Sequence, residues 1–451
     1  MVGAMGITRF MDTTNKNVRF GPILLEPGVT RLHMGILLYA AFVSIGLATF
    51  DAFATPYVLS ESIGIPIGEQ GAVAGRLNVY TEILLLMVFT PFGVLSDRIG
   101  RRAVYAFGFG CLAISYLFYP YASSVAELAV VRIAYSLGIA GVTGMLATVI
   151  ADYSIPEHRG RMVGLTGVMN GLGIVTSALV LARLPSVFVD MGYSGYVAGQ
   201  YTLFIVAGLC LLSAVIVGRG LKPGVPTLPG ERPAARHLFR AAFKAAYDNP
   251  RIGVAYASAF VARGDLVVVG TFLVLWGKVA AIDSGMGTAA AIEAGRIPFI
   301  VAQSAALVGA ILAIVLIDRV NRMTAMAGCM GLAAFAYLML MFVDNPLDTK
   351  NIPFFLLLGL GQIAAFIGST TLIGKEAPKA QRGSIIGAFS VAGALGILVT
   401  SGAGGIIFDA VDPRAPFVLL GLMNISVMFA AIYVRIKEPG ATMLKPAIAS
   451  S

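Results

Sequence analysis

The 451-residue chain is 58% hydrophobic and only 12% charged, with a mean hydropathy of +0.86. A soluble chain carries about 25% charged residues, so this composition excludes an ordinary soluble protein and places the excess apolar surface against lipid. The net charge of +9 does not point to nucleic acid, because Lys and Arg fall in short loops between apolar runs, where membrane topology puts them.

In chain order, the opening residues MVGAMGITRFMDTTNKNVRF lack the short apolar core and small-residue cleavage site of a signal peptide, so the first apolar run is expected to persist as a span. A bilayer core of about 30 Å needs roughly 20 apolar residues per helix. Twelve runs meet that test: Met34–Val58, Gly71–Leu95, Ala103–Tyr121, Ala126–Ala151, Met162–Leu181 and Tyr201–Val217, then Ile252–Gly277, Ile297–Ile317, Thr324–Val343, Ile352–Ile373, Ser384–Ile407 and Ala415–Val434. The runs are long and lack period-two alternation, which argues for helices and against strands. Glycine is frequent, with 53 residues, as closely packed helices require. Cys111, Cys210 and Cys329 lie far apart inside apolar runs and suggest neither a disulfide framework nor a metal cluster.

The loops alternate. One set (DRIGRR, PEHRGR, the segment 219–251, DRVNR, KEAPKAQR, VRIKEPG) is basic; the other (SESIGIPIGEQ, SSVAE, VDMGYSG, DSGMGTAAAIE, DNPLDTKN, FDAVDPRA) is mildly acidic. The positive-inside rule makes the first set and both termini cytoplasmic, in what is expected to be a bacterial inner membrane. The longest loop opens with KPGVPTLPGERP and continues as ARHLFRAAFKAAYDNP, where Arg236, Arg240 and Lys244 recur at helical spacing opposite apolar residues, the pattern of an interfacial helix or, as the alternative, of a solvated linker helix. The expected organisation is therefore a tail (1–33), a six-helix bundle (34–218), a linker with an amphipathic helix (219–250), a second six-helix bundle (251–435) and a tail (436–451).

The halves also match each other. DRIGR at Asp97 corresponds to DRVNR at Asp318, an offset of 318 − 97 = 221, and PEHRGRMVGL at Arg159 to PKAQRGSIIGAF at Arg382, an offset of 382 − 159 = 223. Two ordered matches at nearly one offset imply parallel repeats of six helices.

With those residues in view, GVLSDRIGRR (93–102) resembles the signature of the major facilitator superfamily between its second and third helices. RIAYSLGIAG from Arg132 resembles the family's fourth-helix pattern, and DYSIPEHRGR its loop between helices four and five. The resemblance covers both halves. It implies an all-α fold of two pseudo-symmetric six-helix bundles that rock around a central cavity lined by helices one, four, seven and ten. It also implies that Asp97 latches the cytoplasmic gate near the start of the eleventh helix, a contact worth roughly 0.3–2 kcal/mol. Asp97, Arg98 and Arg101, with their repeats Asp318, Arg319 and Arg322, are the expected gate residues. Many antiporters of the family carry a Gly-Pro pair in the fifth helix; here Leu172 stands at that proline, which weighs against antiport without excluding it.

Ionisable groups inside spans are costly and need a reason. Asp51 lies 17 residues beyond Met34, about 25 Å along the first helix, and Arg132 reaches a comparable depth in the fourth. They can meet, either as proton carrier and tuning cation or as a structural ion pair. Glu82 is mid-span with Asn78 one turn earlier on the same face, and is a second candidate for a proton, as is Asp265. Arg263 and Asp265 stand two residues apart and point about 200° from one another, so both cannot face one cavity unless Gly264 loosens the helix. Arg76 and Arg296 fall near helix ends. Arg132, Arg263, Tyr135, Asn170, Trp276, Gln303 and Gln362 are candidate substrate contacts; helix packing is the commoner role for the uncharged members.

The sequence thus predicts a secondary transporter of a small organic solute, an organic anion by preference, working as a proton-coupled symporter. Alternatives are a proton-coupled drug or metabolite efflux antiporter and, from another class, a non-transporting receptor of the same fold. An enzyme is not expected: His33, His158 and His237 all lie outside the spans and no catalytic or metal-ligand constellation is visible. The expected partners are a small-molecule substrate and the lipid bilayer, without nucleic acid, for a functional monomer that needs no cofactor and draws on the proton gradient.

Overall fold

A computed structural model describes residues 18–224, 244–317, 321–378 and 382–437. Among them are twelve helices long and apolar enough to cross a membrane: α1 (Arg31–Glu61), α2 (Ile67–Ile99), α3 (Arg101–Tyr121), α4 (Val125–Tyr153), α5 (Arg159–Asp190), α6 (Gly195–Gly220), α7 (Pro250–Asp283), α8 (Thr288–Leu312), α9 (Arg322–Phe342), α10 (Thr349–Glu376), α11 (Ser384–Ala410) and α12 (Ala415–Lys437). Local chemistry sets several starts. Ser124 Oγ accepts from Glu127 N–H and Ser194 Oγ from Val197 N–H, capping α4 and α6. Asn249 caps α7 by accepting from Arg251 N–H, with Pro250 in the first turn, where its missing N–H costs nothing.

Packing follows the repeat. In the first half α1 packs on α5, α2 on α4, and α3 on both α4 and α6; in the second, α7 packs on α11, α8 on α10, and α9 on both α10 and α12. Each pair maps onto its counterpart by a shift of six helices. Two further seams join the halves, α2 with α11 and α5 with α8, and the same shift exchanges them. Twelve crossings return the chain to the side on which it began. We call that the terminal side, and the opposite face the far side.

Two spans expected to be regular are not. The first is interrupted at Phe50, between helical stretches Arg31–Thr49 and Asp51–Glu61. Pro56 supplies no N–H to the upper stretch, and side chains insert where the helix loosens: Tyr116 Oη donates to Leu47 C=O (2.6 Å) and Tyr135 Oη to Ala48 C=O (2.8 Å). The second is α7, where Val269–Leu273 form a π-helical turn. The helix does not loosen at Gly264, which sits inside the regular stretch Pro250–Val268.

Outside the spans, Arg19–Phe20 and Ile23–Leu24 form a two-stranded antiparallel hairpin, β1 and β2, on the terminal side. It is tied down by Leu24 N–H donating to His158 Nδ1 (2.6 Å), Glu26 N–H to Tyr153 C=O (3.1 Å) and Arg161 to Pro22 C=O (2.9 Å). Most of the amphipathic linker helix expected around Arg236 and Arg240, together with Asp318 and Arg319, lies outside the described residues.

Candidate functional site

A cavity of about 240 Å³ opens between the halves at mid-depth. Its ionisable lining residues are Asp51, Glu82 and Arg132, joined by the polar side chains of Thr49, Thr55, Asn78, Thr81, Tyr135 and Thr271. The first half supplies nearly all of this polarity. The second half contributes Leu266, Val267, Gly270, Thr271 and Ile397. The π turn of α7 sets Gly270 and Thr271 against the cavity, and Thr271 Oγ1 accepts from Asn78 Nδ2 (2.9 Å) across the interface. An extra residue in one helical turn costs hydrogen-bond geometry and is concentrated at functional sites for that reason.

Asp51, the first residue after the α1 interruption, meets Arg132. Arg132 Nη2 donates to Asp51 Oδ2, while Asp51 Oδ1 accepts from Tyr119 Oη (2.5 Å) and Thr55 Oγ1 (2.9 Å). Both oxygens are thus occupied. The same Nη2 also reaches Asn78 Oδ1 (3.4 Å), and the guanidinium lies 5.4 Å from the Tyr135 ring centre. Arg132 is 1% exposed, yet its Nε and Nη1 have no protein partner. Such donors are costly to bury unless something accepts from them.

Glu82 stands apart. It lines the cavity but has no hydrogen bond among the described residues, and the charge that acts on it is Arg263, across the interface on α7. Arg263 packs its stem against Gly393 of α11, where an added Cβ would collide with it. Asp265 turns the other way, as its two-residue separation from Arg263 requires. It is wholly buried in the second half, facing Asn424 Nδ2 (3.4 Å to each oxygen), and does not line the cavity.

The remaining expected contacts are distributed differently. Tyr135 lines the cavity. Trp276 does not; it packs with Phe355 and Phe417 inside the second half. Gln362 is also internal there, donating to Asp265 C=O (3.4 Å) and accepting from Gln303 (3.4 Å). Asn170 on α5 lies outside the cavity lining, with its Oδ1 buried and unpartnered. Of the expected gate residues, Asp97 pairs with Arg101 (2.6 Å), which also bonds Asp152 (3.0 Å). Arg98 is exposed, and Arg322 bonds Glu376 (3.1 Å).

On the far side the halves are locked together. Lys278 Nζ donates to Pro56 C=O, Ser60 Oγ and Gln70 Oε1. Asp409 accepts from the Gly71 and Ala72 N–H groups (3.0 and 2.7 Å) at the start of α2. Arg296 donates to Ala178 and Leu179 C=O (3.0 and 2.9 Å) where the regular Arg159–Val180 stretch of α5 ends, and Arg183 pairs with Glu293 (3.1 Å). Along the α2–α11 seam, Gly71 and Gly75 let the backbones of the two helices touch at Gly405 and Ser401, space that no side chain could share. The reading from sequence missed Lys278 and Asp409. Each lies just past the expected end of its span, where a charge reads as loop.

A family model described as Major Facilitator Superfamily matches residues 36–401 and 352–449. The magnetosome protein MamH of Paramagnetospirillum magneticum is 30% identical over 420 residues, which span 89% of this chain and 92% of MamH. MamZ of the same organism is 28% identical over 83% of this chain, which corresponds to 58% of MamZ's length. Among solved structures, a mutant of the nucleoside transporter NupG superposes with a TM-score of 0.70 at 14% identity, over 89% of this chain and 99% of that one. Twelve spans in two six-helix repeats, a polar cavity between them and a family match along nearly the whole chain agree, and the protein belongs to the Major Facilitator Superfamily.

Proposed function

We propose that this transporter is a proton-coupled symporter of a small organic anion, with Glu82 as the group that takes the proton. The observation that carries the reading is the contrast between its two cavity carboxylates. Asp51 is fully engaged by Arg132, Tyr119 and Thr55, so a proton there would displace a donor and strip a buried guanidinium of its counterion. Losing one partner of a buried pair costs about 3–5 kcal/mol. Glu82 has no such bonds to lose.

Charge balance supplies the coupling. Around Glu82, the two carboxylates Asp51 and Glu82 are matched by two guanidiniums, Arg132 in the cavity lining and Arg263 behind it, so these four groups balance with Glu82 ionised. A proton on Glu82 leaves one positive charge in excess, which favours an anion, and Arg132, a lining residue, keeps two buried guanidinium nitrogens without a protein partner. Proton and anion then favour each other's binding by the same factor. The cavity volume, just under the roughly 300–1,000 Å³ usual for drug-sized ligands, suits a small solute. The basic loops on the terminal side make it cytoplasmic by the positive-inside rule.

The test is uptake of a panel of small mono- and dicarboxylates into proteoliposomes under an imposed pH gradient. Wild type should accumulate at least one of them, and Glu82→Gln should lose accumulation while retaining exchange at equal pH. Undiminished gradient-driven accumulation by Glu82→Gln would overturn the assignment, and absence of any exchange by wild type would favour a receptor.

A further inference from the structure

Three charged side chains of the second half seat on main-chain groups of the first half at the far side: Asp409 on the Gly71 and Ala72 N–H groups near the start of α2, Arg296 on the Ala178 and Leu179 carbonyls of α5, and Lys278 on Pro56 C=O of α1, from which it also reaches the start of α2. Lys278 differs from the other two in burial and in what it holds. It is 0% exposed, and its Nζ donates to Pro56 C=O (2.5 Å), Ser60 Oγ (2.6 Å) and Gln70 Oε1 (2.7 Å). Three acceptors match the three N–H bonds of an ammonium, and all three belong to the opposite half. Glu61 is the acid whose charge reaches it, without a direct bond.

The seat of Lys278 is also the wall of the cavity. Thr55 and Pro56 line the cavity, Thr55 donates to Asp51, and the next turn of the same stretch carries Ser60. Asp51, Thr55, Pro56 and Lys278 therefore form a short physical chain from the Arg132 ion pair to the far-side closure. A seated ammonium is satisfied and a fully opened one meets water. One displaced by an ångström or two would be left buried without acceptors. That penalty makes intermediate positions unfavourable and the closure two-state.

We propose that Lys278 is a positioning residue that transmits the state of the binding cavity to the far-side gate: movement of the Asp51–Glu61 stretch unseats it and releases the second half. The proposal rests on the transport function proposed above and on alternating access, in which the two bundles rock so that the cavity opens to one side at a time. It assigns Lys278 no contact with substrate.

The experiment places spin labels at positions 191 and 286, exposed sites in far-side loops of the first and second halves, with alanine at the three native cysteines. The full chain is measured in nanodiscs, with and without whichever carboxylate of the panel stabilises the wild type. Wild type should show a dominant short distance and a minor long one, with the carboxylate changing their ratio. Lys278→Met, which keeps length but cannot donate, should raise the long-distance population at least tenfold and abolish the carboxylate's effect on the ratio. Gln70→Leu, which removes one acceptor from the other half, should shift the ratio in the same direction by less, and serves if Lys278→Met does not fold. A folded Lys278→Met with the wild-type ratio and response would overturn the proposal. So would Gln70→Leu with wild-type distances. A wild type locked in one distance under all conditions would instead sink the alternating-access reading on which it stands.

Discussion

The two halves share one helix-packing scheme but divide the chemistry between them. The first half turns its ionisable groups, Asp51, Glu82 and Arg132, toward the central cavity. The second half turns Asp265 away, into an internal cluster with Asn424, Gln362 and Gln303, and shows the cavity mainly aliphatic side chains and a π turn. Its charged residues Lys278, Asp409 and Arg296 go instead to the far-side interface, each landing on main chain of the first half. A duplicated scaffold thus carries a binding surface in one copy and a set of fasteners in the other. The symmetry of the backbone says where two halves can separate, and the asymmetry of the side chains says what the separation does.

The sharpest way to break this division is to attack the ion pair. Arg132→Met strands Asp51 as a buried, unpaired carboxylate, and should cost about 3–5 kcal/mol in unfolding free energy. Adding Asp51→Asn to that variant should recover a large part of the loss, because the orphaned charge is gone; denaturant titration in detergent micelles reads both. Next in size is Gly75→Ala. Its Cβ would collide with Ser401 C=O in the α2–α11 seam, so overpacking should penalise the closed far side by about 1–3 kcal/mol and lengthen label distances across it.

A smaller effect is expected at Asp265, which the division places outside the cavity. Asp265→Asn should leave gradient-driven uptake within about twofold of wild type and change stability by about 1 kcal/mol. Loss of coupling in that variant, with folding intact, would put Asp265 back into the binding chemistry. The smallest effect lies in the loop before α12, where the Asp412 carboxyl is held below its ordinary value by hydrogen bonds from the Arg414 side chain, with partial burial opposing and the Arg414 N–H adding to the lowering. A carboxyl lowered by folding stabilises above its unfolded value of about 3.9, and that contribution fades as pH falls through the folded one. Asp412→Asn should therefore lower the melting temperature slightly at neutral pH and not at all well below pH 4.

Much of this was legible in the residues. The offset between DRIGR and DRVNR announced the repeat, and the depth of Asp51 and Arg132 put them within reach of one another. The two-residue spacing of Arg263 and Asp265 required them to diverge, though not which way each would point. Other features were not legible, for physical reasons. A π turn leaves hydrophobic periodicity almost unchanged, so Thr271 looked like any threonine in an apolar run. Tyr116 and Tyr135 bond α1 carbonyls from helices distant in sequence, so the interruption at Phe50 depends on tertiary neighbours. Trp276 and Gln362 sit on the helices expected to line the cavity, but helical facing is set by the partners Phe355, Phe417 and Gln303, which no single-helix argument supplies.

The central claim is that one proton, on Glu82, balances one anion. It is tested most directly by titrating the binding of a transported carboxylate against pH in detergent-solubilised wild type and Glu82→Gln. For the wild type, affinity should fall by about tenfold per pH unit once Glu82 is mostly ionised, because only the protonated fraction binds. For Glu82→Gln it should stay tight and independent of pH over the same range. An equal pH slope in both proteins would contradict the account and move the proton to another group.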